Sequence, residues 1–124
     1  NYKRIAMSVN NTPIYTIRGY AILGRRVRVG RRDELDLVAE RDGVLVFVEV
    51  KTRRNETYGR PLSAVDRGKR RALCRAAIRY MKRIERRRMP FRFDVVEVIG
   101  GPRTGVHALR VVENAFPMDR RYMV

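Results

Sequence analysis

The spacing of hydrophobic residues changes several times along the chain, and each change marks an element. From 19 to 29, Tyr20, Ile22 and Leu23 give way to Val27 and Val29 alternating with arginines, which predicts a first strand with one solvated side, at or near a sheet edge. Two β-rich runs, 35–40 and 44–51, flank Arg41-Asp42-Gly43, and Asp-Gly is a strong turn signal, so this stretch reads as a hairpin. Residues 52–62 are rich in Arg, Asn, Gly and Pro and read as a loop, after which Asp66 offers an N-cap for a long helix running to about residue 88. On a helical wheel Leu73, Ala76, Ala77, Tyr80, Met81 and Ile84 share one arc with Cys74 at its margin, while Arg71, Arg75, Arg79, Lys82, Arg83 and Arg86 fill the other. Pro90 ends the helical region, and 92–99 carries valines on both sides, as in a strand of a sheet covered on both faces. Gly100-Gly101-Pro102 turns the chain, 106–112 reads as a last strand, and 113–124 returns to mixed composition.

Residues 1–18 contain no acid and are interrupted by Asn10-Asn11-Thr12-Pro13, so they read as an arm or degenerate first helix ahead of a single domain over 19–124. The order of arm, three strands, helix and two strands predicts an α/β fold, a mixed sheet with a helix packed on it. That helix is long enough to cross over between parallel strands, which makes the sheet mixed instead of purely antiparallel. At 124 residues and 44% hydrophobic content the chain fits one domain with its own core. No run approaches the roughly 18 apolar residues of a membrane span and no secretory pattern opens the sequence, so a cytoplasmic protein is expected. Cys74 has no second cysteine to pair with, and no Cys or His cluster suits zinc.

Charge narrows the partners. The formal balance is +16, from 29 Lys and Arg against 13 Asp and Glu, which favours a polyanion and above all nucleic acid. Arginine dominates, and its planar fork suits phosphate. A basic protein with no such partner fits the composition equally well, so motifs must decide.

If Asp42 and Gly43 form a two-residue turn, Arg41 faces Val44, and counting outward sets Asp36 opposite Glu49 and Glu34 opposite Lys51. The same count gathers Leu35, Leu37, Ala39, Val46, Val48 and Val50 on one apolar face. Two carboxylates on directly opposed positions, roughly 5 Å apart at Cβ, repel each other unless a cation lies between them. Mg²⁺ is suited to that position, with Asp36, Glu49 and the Val50 carbonyl as protein ligands. Lys51, two residues from Glu49 on the same face, could orient an attacking water and offset phosphoryl charge. A solvated sheet face on which Lys51 bridges Glu34 or Glu49 is the competing reading.

Taken together, Glu34-Leu35-Asp36-Leu37 and Glu49-Val50-Lys51 resemble the Asp…Glu-x-Lys signature of the restriction-endonuclease-like PD-(D/E)xK nuclease superfamily. Gly19-Tyr20-Ala21-Ile22-Leu23, the 34–53 stretch, Ala64-Val65, Arg92-Phe93-Asp94-Val95-Val96 and Glu113-Asn114-Ala115-Phe116 are similar to the YraN-like family of bacterial endonuclease-related proteins. The resemblance covers about residues 19–116. It implies an αβββαβ core, a Mg²⁺ or Mn²⁺ site at Asp36 and Glu49, Lys51 as the residue that positions or activates water, and phosphodiester hydrolysis. The family's first helix usually carries a Gly-Glu-x-x-Ala segment, whereas residues 1–18 hold no Glu, and Asp33 stands where a glycine is usual.

The leading expectation is therefore a divalent-metal-dependent nuclease acting on DNA, with branched repair or recombination intermediates as candidate substrates. The alternative is a nucleic-acid-binding module of the same fold with weak or no turnover, and a third is a basic accessory protein that assembles with RNA or an acidic partner. Arg53, Arg54 and Arg60 in the loop, with Arg71, Arg75, Arg79 and Lys82 on the helix, are the candidate backbone-binding residues, although a charge run is more often only a solvated face. Glu34 is a candidate for steadying Lys51, and Tyr58 for stacking on an unpaired base. DNA is favoured over RNA, no membrane is involved, and a homodimer fits a nuclease that cuts both strands.

Overall fold

The computed structural model describes residues 15–16, 18–53, 65–101 and 105–122, with the side chains of 53, 101 and 105–107 outside that description. Five strands, β1 (Ala21–Val29), β2 (Asp33–Arg41), β3 (Val44–Arg53), β4 (Phe91–Gly101) and β5 (Gly105–Phe116), form one sheet in the order β1-β2-β3-β4-β5. Helix α1 (Arg67–Arg83) crosses over between β3 and β4, which pair in parallel, while the other three pairings are antiparallel. A mixed sheet with a helix packed on it, as seen among the described residues, is the architecture expected. A 3-10 turn at Arg120–Tyr122 closes the described chain.

The hairpin turns as its sequence predicts. Asp42 and Gly43 both adopt left-handed backbone, φ 52° and 76°, as a type I′ turn requires, and Arg41 pairs with Val44. Alternation then sends Leu45, Phe47, Phe93 and Val95 to one face, where Leu73, Ala76, Ala77, Tyr80 and Met81 of α1 cover them. Val46, Val48, Val50, Val96 and Val98 go to the opposite face, joined by Leu37, Ala39, Tyr15 and Tyr20. Burial of each such side chain contributes roughly 1.5–3 kcal/mol, so both faces hold the sheet. Among the described residues no helix is long and apolar enough to cross a membrane.

Four expectations change. The helix stops at Arg83 instead of about 88, because Glu85 turns left-handed (φ 60°) and the chain closes a Schellman motif: Glu85 N–H donates to Lys82 O and Arg86 N–H to Met81 O. Strand β5 continues through Phe116, not 112, because Phe116 pairs with Phe93 and stacks on its ring at 4.7 Å between centroids. Tyr15, in the segment read as an arm or degenerate first helix, is 1% exposed and belongs to the core; it and Thr16 are helical, and the bonds from Gly19 N–H to Thr16 O and from Tyr20 N–H to Tyr15 O lead the chain on toward β1. Residues 1–14, where the expected first helix falls, lie outside the described residues, as does the Pro102 turn. Finally, Leu35 packs beneath α1, away from Leu37 and Ala39. Strict alternation in β2 therefore breaks at Asp36.

Candidate active site at the carboxyl ends of β3 and β4

The break at Asp36 is the first feature of the site. The ladder between β2 and β3 runs from Arg41 and Val44 as far as Leu37 and Val48. At the next position the Asp36 side chain takes the place of a main-chain acceptor: Val50 N–H donates to Asp36 Oδ2 at 2.8 Å. Asp36 thus lies beside the Glu49-Val50 peptide and is 2% exposed, while the direct pairings expected for Asp36 with Glu49, Leu35 with Val50 and Glu34 with Lys51 lie past the last rung. Among the described residues the ion pair of Glu34 is with Arg26, at 3.8 Å on the β1 side.

Glu49 and Lys51 follow Leu45 and Phe47 at two-residue steps and so share the face that α1 covers. Glu49 is 2% exposed, and Lys51 Nζ stands 3.6 Å from its Oε1. A second ammonium reaches the same oxygen: Lys69 Nζ, from the first turn of α1, is also 3.6 Å from Glu49 Oε1. Asp66 fixes that turn by accepting from Lys69 N–H at 2.8 Å. One strand over, Glu97 is fully buried in register with Lys51, and Arg110 of β5 places Nη1 3.7 Å from its Oε1. These groups collect where parallel strands end and the crossover helix begins, the usual ligand position in open α/β sheets.

Asp36, Glu49 and Lys51 are the candidates that the sequence singles out; Lys69, Glu97 and Arg110, which the structure brings beside them, are not among them. Two signals for them were available. An acid in the middle of a valine-rich strand covered on both sides is a buried charge that needs a reason. A lysine three residues after an N-cap, in a crossover helix, starts over the carboxyl ends of the strands it joins.

Among the described residues no group of three or more His, Cys, Asp or Glu that could hold a metal ion is found. Mg²⁺ needs only one or two carboxylates and completes its shell with water and phosphate oxygens, so Asp36, Glu49 and the carbonyl between Val50 and Lys51 are the donor types that would suit it.

The opposite face holds a buried acid of different character. Asp94, fully buried, accepts from Tyr15 OH at 2.9 Å, Arg92 Nε at 3.0 Å, Arg92 Nη2 at 3.3 Å and Asn114 N–H at 3.0 Å. Burial and then the Asp94 charge push the Tyr15 phenol far above its ordinary range. Burial works against the Arg92 charge, but hydrogen bonds to Asp94 and Tyr20 outweigh it and hold the guanidinium pKa up.

The helix arginines divide by role. Arg75 forks onto Asp33 with two 2.8 Å bonds and ties α1 to the start of β2; that fork, against a smaller effect of burial, holds the Asp33 carboxyl below its usual range. Arg71 is half-buried, and Arg79 and Lys82 are exposed. Arg54, Tyr58 and Arg60 lie outside the described residues, as does the Arg53 side chain.

The chain matches the family described as Uncharacterised protein family UPF0102 over residues 13–98. It is 50% identical over 101 residues to a UPF0102 protein of Symbiobacterium thermophilum, covering 82% of this chain and 84% of that one. A UPF0102 protein of Caldicellulosiruptor saccharolyticus is 39% identical over 98 residues, 79% of this chain and 82% of its own, and one of Myxococcus xanthus is 46% identical over 70 residues, 56% of each. Asp36, Glu49 and Lys51 fall inside the matched region, and the chain belongs to the UPF0102, YraN-like family.

Proposed function

We propose that this protein is a divalent-metal-dependent phosphodiester hydrolase acting on DNA, built on a restriction-endonuclease-like core. The observation that carries the reading is the convergence of Asp36 and the Glu49-Val50-Lys51 segment at the carboxyl end of β3: two carboxylates of 2% exposure, with an ammonium 3.6 Å from one of them. Burying that much charge is unfavourable for folding alone, and function is the common reason for keeping it. Asp36, Glu49 and the Val50 carbonyl would hold Mg²⁺ or Mn²⁺. When bound, the ion supplies Lewis acidity at the phosphoryl oxygen.

The residues themselves do the rest. Val50 N–H fixes the rotamer of Asp36, so the carboxylate meets its ligand without reorganising. Lys51, 32% exposed at its side chain, holds the attacking water and offsets the charge that grows on the phosphoryl group. Arg79 and Lys82 on the outer face of α1, with Arg71 and with Arg53, Arg54 and Arg60 of the preceding segment, lead the sugar-phosphate backbone to the site. Arg75 is already committed to Asp33 and contributes to that binding only through the overall field.

A second reading is a nucleic-acid-binding module of the same fold without turnover, which the +16 formal charge would serve as well. Incubation with single-stranded, duplex and four-way-junction DNA in Mg²⁺, Mn²⁺ or EDTA separates the two. The hydrolase reading expects product only with metal, and a loss of at least about 100-fold in rate for Asp36→Ala and Lys51→Ala. Cutting that survives in both variants refutes it; salt-sensitive binding with no product in any metal supports the module.

A further inference from the structure

We infer that Lys69 is a second phosphate-binding lysine, and that Lys51 and Lys69 together seat one phosphodiester group in front of Glu49. The choice of ligand rests on the nucleic-acid reading above; the placement rests on the two lysines.

Their ammonium groups arrive from different elements, a strand and a helix, yet stop at the same distance, 3.6 Å, from the same oxygen, Glu49 Oε1. The two nitrogens therefore lie no more than twice that distance apart, a gap that the two non-bridging oxygens of a phosphodiester can span, one to each. The lysine side chains are 32% and 38% exposed, whereas Glu49 is 2% exposed. An anion approaching from solvent meets the cations first and the acid lies behind them.

Charge also favours an anion there. Two cations share one carboxylate oxygen, Glu97 already has Arg110 at 3.7 Å, and Asp36 is turned to Val50 N–H. These three cations and three carboxylates balance in number, but the cations are the part-exposed members, with side chains 32–38% exposed against 1–2% for Glu49 and Glu97, so an incoming phosphodiester meets positive charge first.

The form of the contacts separates them from purely structural pairs in the same molecule. Arg75 to Asp33 and Arg92 to Asp94 are hydrogen bonds of 2.8 and 3.0 Å. Both lysine contacts to Glu49 are longer, at 3.6 Å, and lysine is a point charge on a flexible stem that can turn to a new acceptor. The stem of Lys69 starts from a fixed turn, since Asp66 holds its N–H, so the residue is pre-aimed with only its side chain left to move.

The test is fluorescence anisotropy of a labelled single-stranded DNA oligonucleotide, in EDTA and across a salt series, for wild type, Lys69→Ala, Lys69→Arg, Lys69→Gln, Glu49→Gln and the double variant Glu49→Gln with Lys69→Ala. Lys69→Ala should weaken binding about tenfold at low salt and lower the slope of log affinity against log salt by about one, with Lys69→Arg restoring most of both. Glu49→Gln should tighten binding by unmasking two cations, and the double variant should lose that gain. A Lys69 that only braces Glu49 would shift the melting temperature and leave the salt slope unchanged, which overturns the inference; absence of DNA binding by the wild type overturns it as well. If Lys69→Ala does not fold, Lys69→Gln carries the same comparison. Should the wild type bind but never cut, the hydrolase reading fails alone, and the salt slope still decides the role of Lys69.

Discussion

Two carboxylates buried in one sheet, Glu49 beneath α1 and Asp94 on the other face, show how differently a fold can treat a charge it has taken out of water. Asp94 is enclosed by four hydrogen-bond donors at 2.9–3.3 Å, from Tyr15, Arg92 and Asn114, drawn from the segment before β1 and from β4 and β5. Its lone pairs are occupied by groups that pack there for good, and they stitch the sheet together. Glu49 is as deeply set, yet the two ammonium groups described beside it stand at ion-pair distance on long stems that reach solvent. Saturation by rigid donors marks a structural acid; flexible, part-exposed cations around an equally buried acid mark one that exchanges partners.

Thermodynamic measurements can break or sharpen this contrast. The largest effect is expected at Asp94→Ala, which strands Arg92, Tyr15 OH and Asn114 N–H at once and should lower unfolding free energy by about 3 kcal/mol or more in a denaturant titration. A loss under about 1 kcal/mol would erase the distinction from Glu49. Next comes Asp33→Asn, which cuts the fork to Arg75 and should cost about 2 kcal/mol at neutral pH. Its pH dependence has a definite sign. Because the folded carboxyl titrates below its ordinary value of 3.8, its contribution is complete above about pH 4 and drains away as pH falls through the lower folded value. The stability gap between wild type and Asp33→Asn should therefore close on acidification. Tyr15→Phe removes one donor from Asp94 and should cost about 1 kcal/mol by the same titration. Smallest of all is Glu49→Gln, expected to change stability by less than about 1 kcal/mol or to raise it, since functional sites commonly hold charges that folding would discard. A loss as large as that of Asp94→Ala would make Glu49 a structural residue.

Much of this arrangement was legible in the sequence wherever a local rule and the tertiary fold agree. Asp42-Gly43 turns as its type demands, Asp66 caps α1, and the apolar arc of the helix wheel is the buried one, Cys74 included. The failures share a cause: a side chain or an unusual backbone angle doing a job normally read from the main chain. Asp36 replaces a ladder acceptor, which leaves the hydrophobic pattern untouched while sending Leu35 to the other layer. Glu85 ends the helix in left-handed backbone where glycine would have flagged the stop, and Asn114, also left-handed at φ 51°, lets β5 bulge past a polar stretch and continue to Phe116 with Asp94 holding its amide. Lys69 and Glu97 escaped because their meaning depends on which strand ends the crossover brings together.

Strand β1 adds a consequence for colloidal behaviour. It forms one margin of the sheet, shifts register between Ile22 and Gly24, turns left-handed at Arg26 and exposes Arg25, Arg26 and Arg28. A margin that is twisted, interrupted and studded with guanidinium groups is a poor template for another copy's strand, so part of the arginine excess guards against edge-to-edge aggregation instead of gripping phosphate.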